Sequence, residues 1–101
     1  MYVLVLLHDA ENAGDEALHA EAHEHFIDGL IERHAVLLGG SFAPAFGDVG
    51  GAYVLRCGGL DEAEATAAED PLVAHGVVRA ECVEWELVGI DPEAIDPGQV
   101  V

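Results

Sequence analysis

Lysine is absent from this chain, and arginine occurs only three times among 101 residues, against 20 aspartates and glutamates. The formal net charge at pH 7 is −17. A surface so short of cations cannot neutralise phosphates, which excludes nucleic acid and anionic membrane as partners. Cysteine is scarce too. Cys57 and Cys82 lack a CxxC spacing and sit in strand-like runs, so they read as small buried hydrophobes in a reducing compartment, and no disulfide is signalled. No apolar run approaches the roughly 20 residues of a membrane helix. The opening run, Tyr2 to Leu7, is short and has no basic stretch before it, so it reads as neither a signal peptide nor a membrane span. The expectation is a cytoplasmic soluble protein.

What the chain does have is apolar content. Hydrophobic residues make up 51%, too many for a disordered chain. The length suits one small domain, which buries only a modest share of its surface and would gain from dimerisation. The acids are spread along the chain rather than gathered in a tail. That spread points to a halophile's protein, because molar salt shortens the Debye length to about 3 Å and screens self-repulsion. The competing reading is an acidic surface for a basic partner.

The elements follow from periodicity. Tyr2 to Leu7 reads as a central strand and His8 to Gly14 as a loop, with Asp15 as a helix N-cap. Residues 16 to 34 place His19, His23, Phe26, Ile27, Leu30, Ile31 and His34 on one face of an amphipathic helix. Ala35 to Ala43 reads as a second strand, bent or bulged at Gly39 and Gly40, and Pro44 to Gly51 as a hairpin connection. Ala52 to Cys57 is a third strand, followed by a turn at Gly58-Gly59. Asp61 caps a short helix that ends near Asp70, because Pro71 disfavours helical geometry in the residue before it. Val77 to Val88 reads as a fourth strand. Its apolar phase switches at Cys82/Val83, which predicts a bulge or burial on both faces. The domain spans residues 1–90. The remainder, 91–101, reads as an extended tail, mobile or laid over a partner subunit.

The order β-α-β-β-α-β predicts an α+β, ferredoxin-like fold, an antiparallel four-stranded sheet with both helices on one face. The strands are apolar enough that a second copy is expected to cover the other face.

Five features in order resemble the YCII-related family. They are the apolar first strand, His23 early in helix 1, the Val36–Ser41 run VLLGGS, Tyr53-Val54-Leu55 before an acidic helix, and Asp70-Pro71 through Gly76-Val77. The last is the most specific. The resemblance implies a dimeric α+β barrel with a pocket beside a His–Asp pair, and one branch is similar to a dehydrochlorinase acting on a chlorinated hydroxyquinol. Residues 19 to 22 read His-Ala-Glu-Ala where relatives often carry Arg, and His75 stands where a small residue is common.

On this reading Asp70 accepts a hydrogen bond from one ring nitrogen of His23 and leaves the other for proton transfer. No metal or organic cofactor is called for. Ser41, His8 and His75 are candidate substrate-binding residues. His19 and His23, at i and i+4 with Glu16 nearby, could share a metal, but the sequence places no third or fourth ligand. Tyr53 and Trp85 read as core or interface packing. The expected function is a small enzyme acting on a small, cyclic or phenolic, organic substrate in lyase or dehydrochlorinase fashion. The alternative is a non-catalytic dimer that binds a small ligand or another protein and keeps the His–Asp pair for structure.

Overall fold

Residues 1–95 are described by a computed structural model of the chain. Strand β1 (Tyr2–Asp9) alternates buried and half-buried residues almost to its end. Val3, Val5 and Leu7 point to the helices. Tyr2, Leu4, Leu6 and His8 point the other way, as the pleat requires. β1 pairs antiparallel with β3 (Val49–Arg56) on one side and with β4 (Val78–Glu84) on the other, and β2 (Val36–Phe46) flanks β3. The sheet order β2-β3-β1-β4 is the ferredoxin-like arrangement expected of β-α-β-β-α-β. Helix α1 (Glu16–Glu32) and α2 (Leu60–Ala68) pack on one face. Leu30 of α1 and Ala63 and Ala67 of α2 close the core over Val3, Val5, Tyr53 and Leu55. Each such large apolar side chain contributes about 1.5–3 kcal/mol by burial.

Local chemistry moved several boundaries. A 3-10 turn (Ala13–Asp15) precedes α1, and Asp15 holds the N-cap position without a side-chain cap bond. The helix stops at Glu32, short of His34. His34 adopts φ 57°, while its N–H and that of Ala35 bond back to Ile31 and Leu30, a Schellman closure. His34 is therefore a helix terminator and not a member of the helix face. Helix α2 has its N-cap at Gly59, two residues before the expected Asp61, which sits in the first turn.

The hairpin differs from expectation. β2 runs through Pro44, whose peptide bond with Ala43 is cis, to Phe46, and the turn is Gly47-Asp48 with Gly47 at φ 60°. The expected bulge at Gly39-Gly40 is not where the register breaks. Those glycines pair in step with Tyr53 and Ala52, and the irregularities fall at Val36/Leu38 and Ser41/Phe46. β4 likewise pairs without interruption from Val78 to Glu84 and ends there. The apparent phase switch at Cys82/Val83 marks the approach to the strand's end, since Trp85 already lies beyond it.

One element went unforeseen. After Asp70 the chain enters a second short helix, α3 (Pro71–Ala74). A 3-10 turn (Pro92–Ala94) lies in the expected tail; residues 96–101 of that tail lie outside the described residues. Among the described residues no helix is long and apolar enough to cross a membrane.

Candidate active site

Asp70 is the one charged or polar residue buried in the described part of the chain, with 0% exposure. Its position is set by local rules. Pro71 pushes it into extended geometry (φ −61°, ψ 126°), and Pro71 in the first turn of α3 lacks the N–H that a helix start would leave unpaired. The Asp70 carboxylate then accepts a hydrogen bond from Leu72 N–H at 2.9 Å and caps α3. A buried carboxylate needs more than one partner. The second is His23 of α1, whose Nδ1 lies 2.9 and 2.8 Å from the two carboxylate oxygens. A carboxylate only accepts, so Nδ1–H donates, and in the neutral ring Nε2 carries the lone pair. The His23 side chain is 25% exposed against 0% for Asp70, so the pair has a sealed end and an open end.

The open end borders a cavity of about 490 Å³. Glu16, His23, Ile27 and Ile31 of α1 line it, a single stripe at helical spacing. Opposite stand the Val36–Ser41 segment of β2 and Gly50–Tyr53 of β3, and Asp9, Leu72 and Ile95 also line it. The cavity explains why Ile31, on the apolar face, is 52% exposed.

The ring of Tyr53 belongs to this wall, and the residue is only 3% exposed. Its hydroxyl has no hydrogen-bond partner among the described residues. Burial first, then the negative charge of Asp70, pushes the phenol well above its ordinary pKa, so it stays protonated. Gly39 sits across from it, and a Cβ there would lie 2.6 Å from the Tyr53 Cβ.

The sequence-predicted residues divide. His23 and Ser41 line the cavity, and Asp70, buried behind His23, is joined to it through the Nδ1 bond. His8 does not; it sits on the other sheet face, bonded through Nδ1 to Asp48 at 2.8 Å and through Nε2 to Glu81 at 2.7 Å. The bond to Asp48, then that to Glu81, raises the His8 pKa, and the His8 bond lowers that of Asp48. Both ring nitrogens are engaged, which leaves none for a substrate. The reason for the misplacement is the pleat, since position 8 alternates with Leu7. His75 is likewise absent from the lining. It stacks on His19, with ring centroids 4.1 Å apart and planes 10° from parallel, and ties α3 to α1 beside the pair. Among the described residues no group of three or more His, Cys, Asp or Glu is arranged to hold a metal. Cys57 and Cys82 are unpaired and half-buried.

Tyr53, Asp9 and Glu16 went unread as cavity residues. Glu16 was open to discovery, seven residues before His23 on the same helical stripe. Tyr53 and Asp9 needed the sheet register.

Comparison with known proteins places this geometry in context. The family model described as the YCII-related domain matches residues 1–86. The uncharacterized protein YjpA of Bacillus subtilis (strain 168) is 36% identical over 69 residues, covering 68% of this chain and 78% of that protein. Among solved structures, 5-chloro-2-hydroxyhydroquinone dehydrochlorinase (TftG) from Burkholderia phenoliruptrix AC1100, in complex with 2,5-dihydroxybenzoquinone, superposes with a TM-score of 0.69. It covers 85% of this chain and 94% of its own, at 17% identity, so the likeness speaks to the fold.

Proposed function

We propose that this chain, which belongs to the YCII-related domain family, is a small enzyme that eliminates a leaving group from a phenolic or otherwise cyclic organic substrate. One observation carries the reading: a fully buried carboxylate engages His23 Nδ1 and leaves Nε2 free on a residue that lines a cavity of about 490 Å³, within the range of small-molecule sites. The fold shared with a dehydrochlorinase supports the reaction class.

In such a reaction Nε2 relays a hydroxyl proton to the ring carbon that bears the leaving group, which becomes tetrahedral as the oxygen becomes a carbonyl. Nε2 then takes a second hydroxyl proton while the leaving group departs with its bonding pair. The net change is loss of H–X, and the electrons balance without an external oxidant. Asp70 holds the imidazole in orientation through both transfers and balances its charge when it is protonated.

Chloride release from chlorinated hydroxyquinols tests the proposal, comparing the wild-type chain with His23→Ala. Turnover lost by about 10²-fold or more in a folded variant is expected. Ligand binding without turnover in the wild type would leave the non-catalytic reading in its place.

A homodimer belongs to the same proposal. Leu38, Val54, Leu4 and Val83 are cross-strand neighbours that form one apolar row over all four strands, on the face away from the helices. The row is open at its two ends, where Leu38 and Val83 are 48% and 44% exposed, while Val54 within it is buried. A second copy of the sheet is the occupant such a self-complementary row suits.

A further inference from the structure

The cavity is bordered by anions and by no cation. Glu16 and Asp9 line it, and Asp70 lies behind His23. The chain has no lysine, and its three arginines are elsewhere. Arg33 caps the end of α1, Arg56 closes β3, and Arg79 pairs across from His8 on β4. None of the three lines the cavity. Even with His23 protonated, the His23–Asp70 pair is neutral rather than cationic, because the Asp70 carboxylate sits 2.8 Å from the ring.

The remaining polar groups are neutral ones. They are the Ser41 hydroxyl, His23 Nε2 and the protonated Tyr53 hydroxyl, with backbone of the glycine-rich segments Gly39-Gly40 and Gly50-Gly51. Apolar side chains supply much of the rest of the wall, among them Leu7, Ile27, Ile31 and Val36. An anionic ligand would shed water here and meet like charge, with no partner to offset the loss. An uncharged ring that carries hydroxyl or carbonyl oxygens would lose little, and its oxygens match neutral donors.

We propose that this cavity selects uncharged, oxygen-bearing ring compounds and rejects carboxylates and phosphates, with Glu16 and Asp9 setting the preference. The proposal deepens the function given above and rests on the same cavity being the substrate site.

Two alkylating reagents of equal size test it on the native chain. Iodoacetamide is neutral and iodoacetate is anionic. With each, the imidazole lone pair forms an N–C bond while the C–I bond breaks and iodide leaves. Modification is read at the His23 peptide by mass spectrometry, and His25, exposed on the same helix, reports the effect of overall charge.

The neutral reagent is expected to outpace the anion at His23 by a ratio on the order of tenfold above that at His25, the scale of one like charge about 10 Å away at low salt. Asp9→Asn with Glu16→Gln narrows the excess. Equal ratios at His23 and His25, or an excess unchanged by the double substitution, overturn the charge preference and leave the elimination chemistry standing. A His23 that reacts with neither reagent overturns both, since no ligand of that size would then reach Nε2. A second comparison uses binding of methyl 2,5-dihydroxybenzoate against 2,5-dihydroxybenzoate. Tighter binding of the ester supports the preference, and equal or tighter binding of the acid overturns it.

Discussion

Asp70 serves two structures at once, and substitutions can separate them. Its Oδ1 caps α3 through Leu72 N–H, and both oxygens hold His23 Nδ1. In Asp70→Asn the amide oxygen can still cap the helix, because Asn is as good an N-cap as Asp. Its NH₂ group then faces Nδ1, which favours the other tautomer and puts the proton on Nε2. The expected outcome is a melting temperature close to the wild type with turnover reduced about 10²- to 10⁴-fold. Asp70→Ala loses the cap as well, at a cost of about 0.5–2 kcal/mol. Thermal melts beside initial rates check both. If Asp70→Asn instead melts the protein by several kcal/mol while rates hold, the pair serves the fold alone.

The β2–β3 ladder shows why adjacent glycines need not do the same work. A Cβ on Gly39 would meet Tyr53 Cβ at 2.6 Å and the Ala52 carbonyl oxygen at 3.1 Å, both parts of the neighbouring strand that cannot swing aside. A Cβ on Gly40 meets nothing within 4 Å. Gly39→Ala is therefore expected to destabilise by about 1–3 kcal/mol through overpacking. Gly40→Ala is expected to be neutral or mildly stabilising, because it removes freedom from the unfolded chain. Urea unfolding of the two variants decides it, and equal midpoints would remove the steric argument. In sequence, a glycine pair in a strand signals either a bulge or a close approach. Only the register told which.

At the scale of the whole molecule, charge and the apolar row on the far sheet face act together. A chain of net charge −17 repels itself, and a dimer doubles that charge in one body. Raising salt from about 0.1 M to about 1 M shortens the Debye length from about 10 Å to about 3 Å. The melting temperature should rise over that range. Sedimentation equilibrium should give about twice the 10.6 kDa chain mass in molar salt, falling toward one chain as salt is withdrawn. Stability and mass that do not respond to salt would remove both the halophilic reading and the charge-opposed dimer.

Much of this was already written in the residues. The order of strands and helices, the helical stripe that carries His23, and the Asp-Pro start that holds Asp70 follow from local rules of period, capping and proline geometry. The resemblance of Asp70–Val77 to the YCII-related pattern paired residues 47 positions apart, which no local rule could do. What depended on tertiary structure was everything set by strand register. Register put Leu7 on the cavity side and His8 on the opposite face, gave the core residue Tyr53 a second role as cavity wall, and made Gly39 a contact instead of a bend. The physical reason is the period of two. A one-residue difference along a strand exchanges its faces, and a partner strand far away in sequence decides which residue stands opposite.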